Sequence, residues 1–140
     1  DNVEIAVQTG ADGVHVGQED LEAGRARELL GPDKLIGVSA HSVEEALAAQ
    51  AAGADYLGVG AAFVTGTKTD AKPISRETIR AITAAVDIPV VAIGGISHAN
   101  ILELKNCGLD VVAVVSALFG QADVKAAAEE LLRLSEEIAR

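Results

Sequence analysis

Gly53-Ala-Asp-Tyr-Leu-Gly-Val-Gly60 is the stretch that decides the fold. Its first residue closes a helical segment opened by Ser42, with Glu45 as the reciprocal member of a capping box. A glycine there supplies the left-handed helix stop, and Asp55 offers a carboxylate to backbone donors in the turn. Tyr56 to Gly60 follows as a short apolar strand. The same corner returns as Gly10-Ala-Asp12 and Gly108-Leu-Asp110, each between a helix end and a strand start. Repetition of helix, corner and strand builds βα units, whose strands pair in parallel. A doubly wound sheet can show this corner, and its recurrence is expected of a (β/α) barrel.

The pattern extends in both directions. Val3 to Gln8 reads as the tail of a helix, and Gly13 to Val16 as a strand. Leu21 to Leu30 is helical, with Asp20 as N-cap and Gly31-Pro32 as its stop. Leu35 to Ser39 is a strand. Ser75 to Val86 is a helix that carries Ile79, Ile82 and Val86 on one face. Pro89 to Ile93 is a strand stopped by Gly94-Gly95, Ser97 to Asn106 a helix, and Val111 to Val115 a strand. Val124, Ala127, Ala128, Leu131, Leu132 and Ile138 mark a final amphipathic helix. Five strands, apolar on both faces, alternate with helices, as in a parallel sheet covered by helices.

Composition narrows the function. The 140 residues suffice for one domain, and 49% are hydrophobic with no long uncharged run, which argues against a membrane span. Aromatics make up only 2% and the net charge is −10, so single-stranded nucleic acid and other polyanions are poor partners. An anionic small substrate needs a local site built from backbone N–H groups, a lysine or a divalent metal. The single cysteine, Cys107, leaves no intrachain disulfide and fits a reducing, cytoplasmic setting. No stretch reads as a signal or transit sequence. The chain has no methionine and opens on Asp1, which reads as a piece of a longer polypeptide.

Every chemically loaded residue follows a strand. Gln18, Glu19 and Asp20 follow the first, and Ser39 and His41 the second. Thr65-Gly-Thr-Lys-Thr-Asp70 follows the third, Gly94-Gly95 the fourth, and Ser116 the fifth. In parallel α/β folds that edge binds ligands. The Thr/Lys loop offers hydroxyl and ammonium donors to phosphate, yet its spacing is not that of a P-loop. Asp20 and Asp1 are each a helix cap or a metal ligand, and two carboxylates at two strand ends can share one Mg²⁺ with substrate phosphates. Gly94-Gly95 is a strand stop or a phosphate cradle, helped by the dipole of a helix starting near Ser97. Gly37-Val-Ser-Ala-His41 lacks the nucleophile-elbow pattern and an acidic third member. Mid-strand His15 reads as a buried, hydrogen-bonded side chain, His98 as surface and Cys107 as packing.

Six ordered stretches resemble thiamine phosphate synthases: Gly13-Val-His-Val-Gly-Gln-Glu-Asp20, Gly37-Val-Ser-Ala-His41, Gly53-Ala-Asp-Tyr-Leu-Gly-Val-Gly60, Thr65-Gly-Thr-Lys68, Val90-Val-Ala-Ile-Gly-Gly-Ile96 and Val114-Val-Ser-Ala117. The resemblance implies a (β/α)₈ TIM-type barrel, here incomplete: strands four to eight over residues 1–140, as a single partial domain. It implies an enzyme that couples 4-amino-2-methyl-5-hydroxymethylpyrimidine diphosphate to a thiazole phosphate, with Mg²⁺, by dissociative loss of pyrophosphate. Position by position, Asp1 and Asp20 match the magnesium carboxylates. Ser39 and Lys68 match contacts to the pyrimidine diphosphate and are the catalytic candidates. Thr65, Thr67, Gly95, Val115 and Ser116 match contacts to the thiazole phosphate.

The related thiazole tautomerases lack the Thr-x-Thr-Lys loop, so synthase is the preferred expectation. An inactive phosphate-binding partial barrel is the alternative from another class. The family's three upstream strands, with a Gln-x-Arg-x-Lys segment, are absent from these residues. Little activity is therefore expected of the 140 residues alone, and the open sheet edges invite association with another copy.

Overall fold

A computed structural model describes residues 1–19, 22–64, 66 and 72–140. The chain runs α1 (Val3–Thr9), β1 (Gly13–Val16), α2 (Ala23–Leu30), β2 (Leu35–Ala40), α3 (Val43–Ala51), β3 (Tyr56–Val59), α4 (Arg76–Ala85) and β4 (Val90–Ile93). A single 3₁₀ turn (Ile101–Leu104), β5 (Val111–Ala113), α5 (Ser116–Phe119) and α6 (Val124–Glu136) complete it. Strands pair in parallel in chain order, β1-β2-β3-β4-β5, and among the described residues β1 and β5 do not meet to close the sheet.

Strand alternation sends one set of side chains outward under the helices. Ile36, Val38, Ala40, Leu57, Val59, Val90 and Ala92 form this set, and all are buried. Ile79 and Ile82 of α4, with Leu131 and Leu134 of α6, help cover them. The opposite, concave face differs from the expected apolar run. In β1 to β3 it carries His15, Gly37, Ser39, Tyr56 and Gly58, and in β4 and β5 Val91, Ile93, Val111 and Ala113. This face is the uncovered one: Leu35 is 57% exposed, Val111 55% and Ile93 43%.

The Gly-x-Asp corners tie neighbouring strands together. Asp55 Oδ2 accepts the N–H of Ile36 at 2.7 Å and is clamped by Arg27 at 2.6 Å. Asp110 Oδ2 accepts the N–H of Val90 at 2.8 Å, and its other oxygen receives Arg140. Each carboxylate thus reaches back to the start of the preceding strand rather than into its own turn. Asp12 belongs to the edge strand β1; its carboxylate is fully exposed, 4.0 Å from Lys34.

Helix ends follow their side chains. Ser42, Ser75 and Asp123 cap α3, α4 and α6 through the N–H groups of Glu45, Thr78 and Ala126. Asn2, not Asp1, caps α1, accepting from the N–H of Ile5. α2 begins at Ala23 after Glu22, which makes no side-chain cap bond, and Asp20 and Leu21 lie outside the described residues. The α-helix expected from Ser97 to Asn106 is only the 3₁₀ turn. Asn100 explains this: its side chain accepts from the N–H of Ser97 and donates to the carbonyl of Gly95, competing with helical bonding. In α6, Leu132 is exposed and Leu134 is buried in its place. Among the described residues no helix is long and apolar enough to cross a membrane.

Candidate active site

The strand outlets open into a cavity of about 640 Å³ on the concave face. Ser39 from β2, Gly95 after β4, and Val115 and Ser116 after β5 all line it. These are four of the nine site residues expected from sequence, brought together from three outlets. Asp1 is exposed at the start of α1. Because α1 leads back to the beginning of β1, its N-terminal end lies on the outlet side of the sheet. Asp20, Thr65, Thr67 and Lys68 lie outside the described residues.

The cavity floor is a layer of polar side chains. His15, Gly37 and Tyr56 share one register row across β1, β2 and β3. The outer two rings meet across the middle strand, with centroids 5.4 Å apart. His15 Nδ1 lies 3.1 Å from Tyr56 Oη, and His15 Nε2 lies 3.0 Å from Ser39 Oγ. Gln18 donates from its side-chain amide to the Ser39 carbonyl. Burial pushes the Tyr56 phenol above its ordinary pKa. His15 is hydrogen-bonded as expected, yet it faces the cavity rather than the core. His15 and Tyr56 share their register row with Gly37, a relationship that appears only once the strands are paired.

His41 stands at the rim, where its backbone N–H and its Nδ1 both meet Glu45 Oε2, at 2.8 and 2.9 Å. This closes the capping box one residue earlier than the usual partner and fixes the imidazole beside the cavity. Cys107 is buried and its thiol is pushed up chiefly by burial, against the lowering charges of Arg80 and Arg76, which suits packing rather than reactivity. His98 is not a free surface group. Its Nε2 lies 3.2 Å from the carbonyl of Ala127 and 3.7 Å from Glu130, against α6.

Gly94 and Gly95 have φ of +98° and +64°. A Cβ on Gly94 would lie 2.7 Å from Ala61, and one on Gly95 2.4 Å from the carbonyl oxygen of Val64. The pair therefore lets the β4 outlet pack on the β3 outlet, where Ala62 and Phe63 donate to the carbonyls of Ile93 and Gly94. The helix dipole expected to assist a phosphate here is not available, because the helix after Ser97 shrinks to one 3₁₀ turn at Ile101–Leu104. Among the described residues, the glycine backbone and Ser116 line the cavity at this place.

These features define a parallel (β/α)-barrel-type protein with a polar-floored site at the strand outlets. The family model described as thiamine monophosphate synthase matches residues 1–118, and the chain belongs to this family. Over 134 residues it is 56% identical to the thiamine-phosphate synthase of Ruminiclostridium cellulolyticum, covering 96% of this chain and 64% of that protein. It is 52% identical over 131 residues to the thiamine-phosphate synthase of Clostridium tetani, covering 94% of this chain and 63% of that protein. Among solved structures, the thiamine phosphate pyrophosphorylase of Pyrococcus furiosus superposes with a TM-score of 0.88 at 46% identity, over 99% of this chain and 66% of that one. The chain thus spans just under two thirds of the length of the first two relatives.

Proposed function

We propose that the protein carrying this chain is a thiamine phosphate synthase, which joins 4-amino-2-methyl-5-hydroxymethylpyrimidine diphosphate to a thiazole phosphate and releases pyrophosphate. The observation that carries this is the convergence of Ser39, Gly95, Val115 and Ser116, far apart in sequence, on one cavity. The relatives' shared name supports it.

In this reading Ser39 donates a hydrogen bond to the pyrimidine substrate and Lys68 pairs with its diphosphate. Thr65, Thr67 and the backbone at Gly95, Val115 and Ser116 hold the thiazole phosphate. The carbon–oxygen bond to pyrophosphate breaks first, and the thiazole nitrogen then attacks the methylene carbon, so no side chain need act as nucleophile or general acid. The enzyme's task is to hold both partners in line and to stabilise the charge of the leaving group.

Magnesium fits the donor chemistry, since a hard cation takes one or two carboxylates together with substrate phosphates. Asp1, exposed on the outlet side of the sheet, and Asp20 would hold it. Bound there, it would offset the negative charge of the diphosphate in a chain whose net charge is −10.

The exposed Leu35, Ile93 and Val111 of the concave face fit a site completed by further strands, from a longer polypeptide or a second copy. Turnover is therefore expected of the complete gene product and not of these 140 residues alone. Small phosphorylated substrates and a cytoplasmic setting complete the reading. The test is to incubate the complete gene product with both substrates and Mg²⁺ and to follow thiamine phosphate by chromatography. Equimolar thiamine phosphate and pyrophosphate are expected; absence of both overturns the proposal.

A further inference from the structure

We infer that His15 is a positioning residue: held in one tautomer by Tyr56, it turns the Ser39 hydroxyl hydrogen into the cavity, toward the bound substrate. The inference rests on the proposed function for what Ser39 binds, but its geometry is independent of that function.

The floor is built around this imidazole. Neighbouring parallel strands lie about 4.8 Å apart, so side chains two strands away normally stay apart. Here Gly37 stands between His15 and Tyr56, and its missing side chain lets the two rings meet. A Cβ on Gly37 would fall 2.2 Å from Tyr56 Cζ and 2.4 Å from His15 Nδ1. On the next row, a Cβ on Gly58 would fall 2.9 Å from His15 Cε1. Glycine inside a strand weakens the strand. Two such positions on adjacent strands are occupied by one imidazole and its phenol partner.

The inferred tautomer is the one in which Tyr56 donates to the ring and Ser39 accepts from it. A ring nitrogen accepts or donates according to what its opposite nitrogen bonds. In the inferred arrangement the Tyr56 hydroxyl, 3.1 Å away, donates to His15 Nδ1. Nε2 then carries the hydrogen and donates it to Ser39 Oγ. With one lone pair of Ser39 taken, its own hydrogen points away from His15, into the cavity that Ser39 lines. The opposite tautomer would consume that hydrogen at Nε2. Ser39 would then face a diphosphate-bearing substrate with lone pairs only.

Two measurements on the complete gene product test this. Long-range ¹⁵N–¹H correlation on histidine-labelled protein reads the tautomer without any substrate. The Nε2–H form is expected to dominate, and Tyr56→Phe should release it to a mixture. A dominant Nδ1–H form, or a tautomer that Tyr56→Phe leaves unchanged, overturns the inference. Turnover supplies the second arm. Gln places its amide nitrogen near the position of Nε2, whereas Asn cannot reach Ser39. His15→Asn should lower kcat about tenfold with little change in KM for the thiazole phosphate, and His15→Gln should restore most of the loss. Equal loss in both variants would make His15 a packing residue and overturn the inference. A wild-type protein that makes no thiamine phosphate overturns the functional proposal instead, and the tautomer measurement still decides the role of His15.

Discussion

The Asp55 carboxylate accepts the N–H of Ile36 at 2.7 Å, fastening the corner before β3 to the start of β2. Arg27 completes the clamp: it reaches Asp55 and the carbonyls of Gly31, Lys34 and Gly53, at the end of the sheet opposite the outlets. Asp55→Ala leaves a strand N–H without its acceptor and Arg27 without its carboxylate partner. Losing such a partner costs about 1–3 kcal/mol. Urea denaturation should show a loss of this size, with the cavity residues unaffected. A change within about 0.5 kcal/mol, usual for surface positions, would show the clamp to be idle.

Asp110 makes the matching contact to Val90 and should give stability a pH dependence. Burial alone would raise its pKa. The Arg140 hydrogen bond, the Val90 N–H and the charge of Arg140 outweigh this and hold it below the ordinary value. A depressed native pKa stabilises the fold above the unfolded-state pKa, about 3.9, and this share is lost as pH falls through the native value. Asp110→Asn should therefore be less stable than wild type at pH 7, with the gap closing below about pH 4. Denaturation curves from pH 7 to pH 3 provide the check, and a gap constant with pH would contradict the assignment.

The repeated corners made the parallel βα units legible, because the Gly-x-Asp signal is local; the sequential strand order was implied only by the family resemblance. Capping was legible for the same reason at Ser42, where Glu45 completes the motif. The helix after Ser97 was not: its residues have ordinary helical character, and only folded geometry shows Asn100 reaching both Ser97 and Gly95. The outlets named Ser39, Gly95, Val115 and Ser116. The cavity floor stayed hidden because it depends on register. Val14 and Val16 flank His15 and suggest a core strand, and only the pairing of His15 with Gly37, and of Gly37 with Tyr56, shows that the imidazole has space on the concave face.

Ser39→Ala tests the hydroxyl itself. The side chain is small and only partly buried, so removing one oxygen leaves packing intact. Loss of a hydrogen bond to a charged substrate costs about 1.5–3 kcal/mol, roughly a tenfold to hundredfold loss in kcat/KM. Steady-state kinetics on the complete gene product should show this, with the denaturation midpoint falling only by the small amount expected from the lost His15 contact. A midpoint that falls in parallel with activity would point to a structural role for the hydroxyl instead.

Two glycine substitutions separate steric need from backbone freedom. Gly37 is buried, and an added Cβ would lie within the Tyr56 ring and against His15 Nδ1. Gly37→Ala must push both rings off the floor, and overpacking of this kind costs about 1–3 kcal/mol. Gly24 lies near the start of α2, and a Cβ there meets nothing within 4 Å. Gly24→Ala should be neutral or stabilising by up to about 1 kcal/mol, the helix preference of alanine over glycine. Thermal denaturation should therefore move the two variants in opposite directions, and histidine ¹⁵N shifts should change only in Gly37→Ala. Equal stability of the two proteins would mean that the imidazole and phenol do not occupy the space above Gly37 and that the floor is not built from these two rings.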